Sequence, residues 1–460
     1  MHDLFVKDLI EKCNCKLIKG DLNTVIENFS KDTRTIETGD VYIGIKGENF
    51  DGNLLYQEAL KKGASGCILS NDINIEDDIL NKEDNVFIVT CDNTINALQL
   101  LASYKRSLYD IPIVGITGSV GKTSTKDIIA SVLSQKYNVL KTQGNLNNEI
   151  GLPLTILSLK DHNMAVIEMG MNNLNEISVL SRIARPTVSV ITNVGTAHIG
   201  NLGSRENILK AKLEILEGMN NDDVLIINND NDMLHNYFLN HPIKQKVITY
   251  GINNKSDYMA SNIKSLPDSS SYDVLLDNKN ESFTINIPGE YFVLNGLCAL
   301  TIGKLFNIPV KDIKKGIANF SLTERRMQVL KVKDFTVIND AYNANLDSMN
   351  SAIKYLKDIK ERKIAVLGDM LELGDYSEQL HRDIAKTIIN SEVDITVLVG
   401  PEMKFLDDEL KKEGYQNVYH FDNNEDAVIK LNEIIKPDDY ILLKASNGMH
   451  FNEIFDGLKK

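Results

Sequence analysis

No apolar stretch in this chain approaches the ~20 residues needed to cross a bilayer, so no membrane span is expected. Met1–Ile10 lacks a basic segment leading into an apolar one, so no secretory signal is expected either. Positive charge is in deficit: 50 Lys and Arg against 64 Asp and Glu leave a net charge of −14. That balance argues against nucleic acid or an anionic membrane surface as a partner. Cysteine is sparse. Cys13, Cys15, Cys67, Cys91 and Cys298 are scattered, without CxxC pairs or zinc-site spacing, which predicts reduced thiols and a cytoplasmic protein. The last third has no Gly-x-Gly-x-x-Gly, so nothing suggests a dinucleotide of its own. No repeat with a period of about 20–50 residues points to a solenoid.

What is present is an ordinary globular composition, 43% hydrophobic and 25% charged over 460 residues. That length is enough for roughly three domains, each with its own core. The most informative stretch is Gly118-Ser-Val-Gly-Lys-Thr123, entered from the apolar run Ile111–Ile116 and followed by a periodic segment. Strand, glycine turn and helix in that order predict a phosphate-cradling loop. In such a loop backbone N–H groups and the helix N-terminus surround polyphosphate oxygens. Lys122 would reach the terminal phosphates, and the Thr123 hydroxyl would ligate Mg²⁺. The turn is short: Ile116 stands where the first Gly of the common G-x-x-x-x-G-K-T pattern falls.

Taken in order, the chain reads as α/β throughout. Residues 1 to about 85 form a small module with strands at Val41–Ile45 and Gly66–Leu69 and a helix over Leu54–Lys62. The acidic, polar run Asn71–Asn85 is expected to be a solvated connection. It contains Asn81-Lys-Glu-Asp84, an N-K-x-D match that precedes the phosphate loop instead of following it and so counts as chance. A helix over Ile95–Tyr104 leads onward. From Ile111 to about Phe320, strands at 113–117, 138–141, 164–168, 188–192, 224–227 and 247–250 alternate with helical patterns, which predicts a doubly wound parallel sheet. Residues 253–287 interrupt it with an expected β-hairpin. Strands at 335–339, 363–367, 395–400, 418–421 and 440–444 then mark a third α/β unit.

Ligands bind such sheets beyond the carboxyl ends of the strands, so the polar residues closing them are the place to look for chemistry. Glu168 closes the strand at 164–168, and His198 follows the strand at 188–192. A carboxylate and an imidazole at neighbouring strand ends can hold a divalent metal beside phosphate. Equally, Glu168 can be a solvated strand end and His198 a local hydrogen-bonding residue of its Gly/Thr/Asn loop. Lys212, next to Leu213-Glu214 on an expected helix, reads on spacing alone as a surface residue.

Several segments together resemble the Mur ligase family: Thr117–Ser124, Gly144–Pro153, Glu168-Met-Gly170, Asn193–His198, Ala211–Ile215, Asp340–Asn345 and Val366–Gly374. They occur in the family's order, from about Asp32 to Met449. The short phosphate loop is usual there. The resemblance implies three domains, placed at 1–108, 109–320 and 321–460: a UDP-sugar-binding N-terminal domain, a central ATPase and a Rossmann-like C-terminal domain. It implies an ATP- and Mg²⁺-dependent amide ligase of peptidoglycan precursor synthesis. UDP-N-acetylmuramoyl-tripeptide and D-alanyl-D-alanine would be its substrates, and a monomer is expected. A third-residue adder or a folylpolyglutamate-like ligase is the alternative within the family; a switch ATPase without ligase activity is the remote one.

Residue by residue, the resemblance assigns ATP to Thr117, Gly118, Ser119, Val120, Gly121, Lys122, Thr123 and Ser124, with Asn295, Arg326 and Asp340. The metal falls to Thr123, Glu168, His198 and a carbamylated Lys212. Lys210 is the competitor for that role, but residues two apart face different sides of a helix. Lys122, Glu168, His198 and Lys212 would carry catalysis. Thr33, Arg34 and Lys46 would meet the UDP end, Asn145, Asn147 and Asn148 the acceptor path, and Asn343, Asn345, Lys444 and Ser446 the dipeptide. The chain departs from the family at Leu346, in place of a proline, and at Tyr291-Phe292, in place of His-Asn. It departs again at Asn447, in place of an arginine, which changes one expected substrate contact.

Overall fold

The computed structural model describes residues 3–82, 85–266, 268–323 and 325–459. The last two residues of the Asn81–Asp84 match lie outside them. Among the described residues the chain builds three large sheets, each flanked by helices.

The central sheet is ordered Val139–Lys141, Met164–Glu168, Ile113–Thr117, Val188–Ile191, Val224–Asn228, Lys246–Gly251 and Tyr258–Ser265, all parallel. Its inner strands are buried along their whole length, because helices cover both faces; such strands read as unbroken Val/Ile runs instead of alternating ones. One face is covered by Lys122–Leu133, Glu290–Leu305 and Val310–Ala318, which pack on one another. On another side, Thr94–Ser107 packs against Gly151–Leu157 and Glu176–Ala184, and also against Val6–Cys13 of the first unit. The expected hairpin exists as Ser270–Leu276 and Lys279–Ile285. It is not an excursion: Tyr258–Ser265 joins it to the sheet edge, so it extends the central sheet.

Ile113–Thr117 has Met164–Glu168 on one side and Val188–Ile191 on the other. The chain leaves it toward the first side and later returns on the second. That is the topological switch at which doubly wound sheets open a crevice. Thr117, Glu168 and Ile191 all end at this mouth.

The first unit orders Lys16–Lys19, Phe87–Cys91, Gly66–Ser70, Val41–Ile43 and Phe29–Ser30, with only the first pair antiparallel. Its helix forms as a 3₁₀ turn, Gly52–Leu55, continued by Tyr56–Lys61. The segment expected to be a solvated connection is partly packed. Ile73, Ile75 and Ile79 lie against the cluster around Tyr56, and the Glu76 N–H donates to Tyr56 Oη at 3.1 Å. Polar neighbours outnumber these isoleucines and hide them in the composition. The third unit orders Gln328–Val332, Phe335–Asn339, Tyr440–Lys444, Lys363–Gly368, Ile395–Val399 and Val418–Phe421, parallel after its first hairpin. All five cysteines are buried and unpaired. No helix among the described residues is long and apolar enough to cross a membrane.

Candidate active site

The glycine turn opens directly into the helix Lys122–Leu133. Gly121 has φ 79°, a left-handed conformation that glycine adopts without steric cost. A Cβ there would also collide with Tyr291 Oη. Two amides expected to face phosphate are engaged elsewhere: Ser119 N–H and Val120 N–H donate to Asn193 Oδ1 at 3.1 and 2.9 Å. Asn193 Nδ2 and Thr192 Oγ1 donate in turn to Val120 O at 3.0 and 2.8 Å. Asn193 therefore splints the loop, a role its sequence did not disclose. What the loop presents is the first turn of the helix, whose amides have no intrahelical acceptor and whose dipole favours an anion.

Lys122 Nζ donates to Gly118 O at 2.8 Å, which folds the side chain back over the loop. Burial draws its pKa below the usual lysine range, against the raising effect of Glu168. Thr123 Oγ1 donates to Glu168 Oε2 at 2.9 Å, and Asn147 Nδ2 to Glu168 Oε1 at 2.8 Å. Glu168 is 1% exposed, and its backbone N–H is fixed by Thr142 Oγ1 at 2.9 Å. It is not a solvated strand end. Both of its oxygens are oriented at the base of the loop.

Lys212 lies in the helix Arg205–Leu213 and is 1% exposed, while Lys210 is exposed. The two lysines take opposite sides of the helix, as their spacing requires. Burial, and then the neighbouring Lys122, drive Lys212 well below the ordinary lysine pKa, which favours its neutral, nucleophilic amine. His198 has φ 62° and places Nδ1 2.7 Å from Glu372 Oε2 of the third unit, close enough for an ion pair though not aligned as a hydrogen bond. Among the described residues no three His, Cys, Asp or Glu side chains converge on one point. Of the four expected metal ligands only Glu168 and His198 are of these types; Thr123 and Lys212 are the other two.

A cavity of about 870 Å³ spans the central and third units. Ser119–Ser124, Asn145, Asn147, Asn148, Glu168 and His198 line it from one side, and Arg326, Asp340, Asn343, Asn345 and Lys444 from the other. Arg326 lies over the Tyr342 ring at 4.1 Å, with its buried Nε unpaired. Asp340 Oδ1 accepts Met327 N–H at 3.0 Å, while Lys444 Nζ reaches Asp340 Oδ2 at 2.6 Å and Asn343 O at 3.1 Å. Lys444 is thus already paired.

Other expected residues stand apart from this cavity, or line it with a side-chain oxygen already engaged by the backbone. Asn295 touches the loop helix instead, its Oδ1 accepting from Thr125 Oγ1 at 3.0 Å. Thr117 is buried in its strand. Asn345 caps the helix Leu346–Tyr355 by accepting Ser348 N–H at 2.9 Å, so Leu346 begins that helix without the proline. Asn148 likewise accepts Gly151 N–H at 2.9 Å. Ser446 accepts Leu371 N–H at 2.9 Å and lines a second cavity of about 410 Å³ with Asn343, Asn345 and Asn447. Thr33, Arg34 and Lys46 line neither cavity. Thr33 is buried, Arg34 is exposed and forked onto Asp32 at 2.6 Å, and the Lys46 backbone pairs with that of Asp51 as an isolated antiparallel bridge.

Residues 116–303 match the Mur ligase middle domain, and residues 325–447 match the Mur ligase glutamate ligase domain. The chain is 35% identical to the UDP-N-acetylmuramoyl-tripeptide–D-alanyl-D-alanine ligase of Bacillus subtilis, over 96% of each chain. Its fold superposes on a crystal structure of MurF from Acinetobacter baumannii with a TM-score of 0.90, 28% identity and full coverage of both chains. It also superposes on MurF ligase from Thermotoga maritima in complex with ADP, with a TM-score of 0.81 and 25% identity, covering 94% of this chain and 97% of that one.

Proposed function

The chain belongs to the Mur ligase family, and from that premise we infer that it is an ATP-dependent ligase of peptidoglycan precursor synthesis. It joins the amine of D-alanyl-D-alanine to the terminal carboxylate of UDP-N-acetylmuramoyl-tripeptide. The observation that carries this reading is likeness along 96% of the length to a ligase of that name. The cavity between the central and third units, floored by the phosphate loop, agrees with it.

A carboxylate is a poor electrophile, so it is first activated. Its oxygen attacks the γ-phosphorus of ATP, ADP leaves, and an acyl phosphate forms. The dipeptide amine then adds to the carbonyl carbon, and the tetrahedral intermediate collapses with loss of phosphate. Two anions must meet in the first step. Lys122 and the first-turn amides of Lys122–Leu133 would offset their repulsion, so catalysis is chiefly electrostatic and positional. Asn145, Asn147 and Asn148 would line the acceptor's approach. Asn343, whose Oδ1 accepts Ala344 N–H, keeps its carboxamide nitrogen as a donor for the dipeptide. Arg326 and Asp340 would meet the nucleotide from the third unit.

The donor set at the loop suits Mg²⁺. Thr123 Oγ1 and Glu168 Oε2 are hard oxygen ligands 2.9 Å apart, beside the place where phosphate oxygens would lie. Carbamylation of Lys212 would add a third oxygen donor, and a neutral, buried amine is the form that reacts with CO₂. His198 would complete the set. Mg²⁺ held there would neutralise phosphate charge as the carboxylate approaches. We assign residues 1–108 to the UDP end of the substrate, through Thr33, Arg34 and Lys46, residues 109–320 to ATP, and residues 321–460 to the dipeptide.

Phosphate release tests the substrate choice. With UDP-N-acetylmuramoyl-tripeptide and ATP present, sustained release is expected only after D-alanyl-D-alanine is added. Release that follows a single diamino acid or glutamate, and ignores the dipeptide, would move the chain to another member of the family.

A further inference from the structure

We propose that Asp347 is a positioning residue that ties the third unit to the loop splinting the phosphate site. The proposal rests on the ligase reading for the reaction it serves. The loop after Val188–Ile191 is held residue by residue. The Asn193 carboxamide accepts the Ser119 and Val120 amides. Val194 O accepts from Arg205 Nη2 at 2.8 Å, and Gly195 N–H donates to Ser119 Oγ at 2.9 Å. These three anchors come from the central unit. The next does not: Asp347 Oδ2 accepts Thr196 N–H at 3.0 Å and Thr196 Oγ1 at 3.4 Å.

Asp347 stands in the first turn of Leu346–Tyr355, where the helix dipole favours a negative charge. The reciprocal bonds between Asn345 and Ser348 fix that turn. The approach is close. A Cβ on Gly195 would fall on Asp347 Oδ2, so a residue without a side chain is what admits the carboxylate. Ser119 is shared: its Oγ holds Gly195, and its N–H belongs to the phosphate loop. Movement of the third unit therefore reaches the nucleotide site through Asp347, Thr196, Gly195 and Ser119, and Asp347 itself lines the cavity between the two units. If the nucleotide binds best with the loop so held, its apparent affinity falls with the docked fraction.

The contact is tested by kcat/KM for ATP, KM and kcat separately, and ADP affinity of the purified full-length chain. Asp347→Ala is expected to lower kcat/KM for ATP by about tenfold, mostly through KM, and to weaken ADP binding in proportion, as for loss of one charge-assisted hydrogen bond. Asp347→Asn keeps an acceptor oxygen for Thr196 and is expected to stay within about twofold of wild type. Gly195→Ala is expected to be impaired, and adding it to Asp347→Ala to cost little more, because the two changes disrupt one contact. The proposal is overturned if Asp347→Asn is as impaired as Asp347→Ala, or if the two single losses multiply in the double variant. Should wild type show no dipeptide-dependent turnover, the ligase reading fails, and the ADP affinities of wild type and the four variants still decide the docking contact.

Discussion

Replacement of Lys122 by alanine is expected to lower turnover by at least about a hundredfold, the usual cost of removing a donor aimed at developing transition-state charge. The fold should survive. Lys122 opens its helix and lines the cavity, and among the described residues its Nζ bonds only back to Gly118 O, so its loss leaves no hole in the core. Its removal also relieves electrostatic tension, since the Arg326 cation lowers its pKa and it in turn lowers that of Lys212. Unfolding midpoint and turnover should therefore separate: the first stays near wild type while the second collapses. Near-normal turnover would remove the phosphate loop from the chemistry.

The second large effect concerns Lys212. Lys212→Ala is expected to abolish turnover, and wild type stripped of CO₂ to lose activity and regain it on addition of bicarbonate. The driving chemistry is visible in the fold: desolvation and Lys122 favour the neutral amine, whose nitrogen can bond to the carbon of CO₂ while its proton goes to solvent. A structural readout accompanies the kinetic one. With carbon-13 bicarbonate, wild type should show a carbamate resonance that Lys212→Ala lacks. Lys212→Glu supplies a carboxylate directly, so any activity it keeps should ignore bicarbonate. Wild-type activity that ignores CO₂, with no carbamate resonance, would dismiss the modification.

The architecture was readable from the sequence because strands covered on both faces leave unbroken apolar runs, as at Met164–Glu168 and Lys363–Gly368. Short strands and partly polar segments were harder. Phe29–Ser30 has two residues, and Ile73, Ile75 and Ile79 are diluted by acidic neighbours. The phosphate loop showed itself through glycine spacing. Lys212 could not: spacing makes it a surface lysine, and only the packing of Arg205–Leu213 buries it. Family resemblance, not periodicity, singled it out. Asn193 opened a family-like segment but with no role of its own, and Asp347 lay beyond both routes, since each acts through a hydrogen bond to a segment far away in sequence. Conversely, Asn345 and Lys444 were expected to face substrate, yet a helix cap and an ion pair engage them first.

The most direct test of the account follows the carboxylate oxygen. UDP-N-acetylmuramoyl-tripeptide labelled with oxygen-18 at its terminal carboxylate is incubated with ATP, D-alanyl-D-alanine and the protein, and the released phosphate and the peptide product are weighed by mass spectrometry. An acyl phosphate pathway predicts that each phosphate carries one label atom, the other remaining in the new amide carbonyl of a UDP-linked pentapeptide. Unlabelled phosphate, released without pentapeptide, would mean that water and not the substrate carboxylate attacks ATP, and would contradict ligation by this chain.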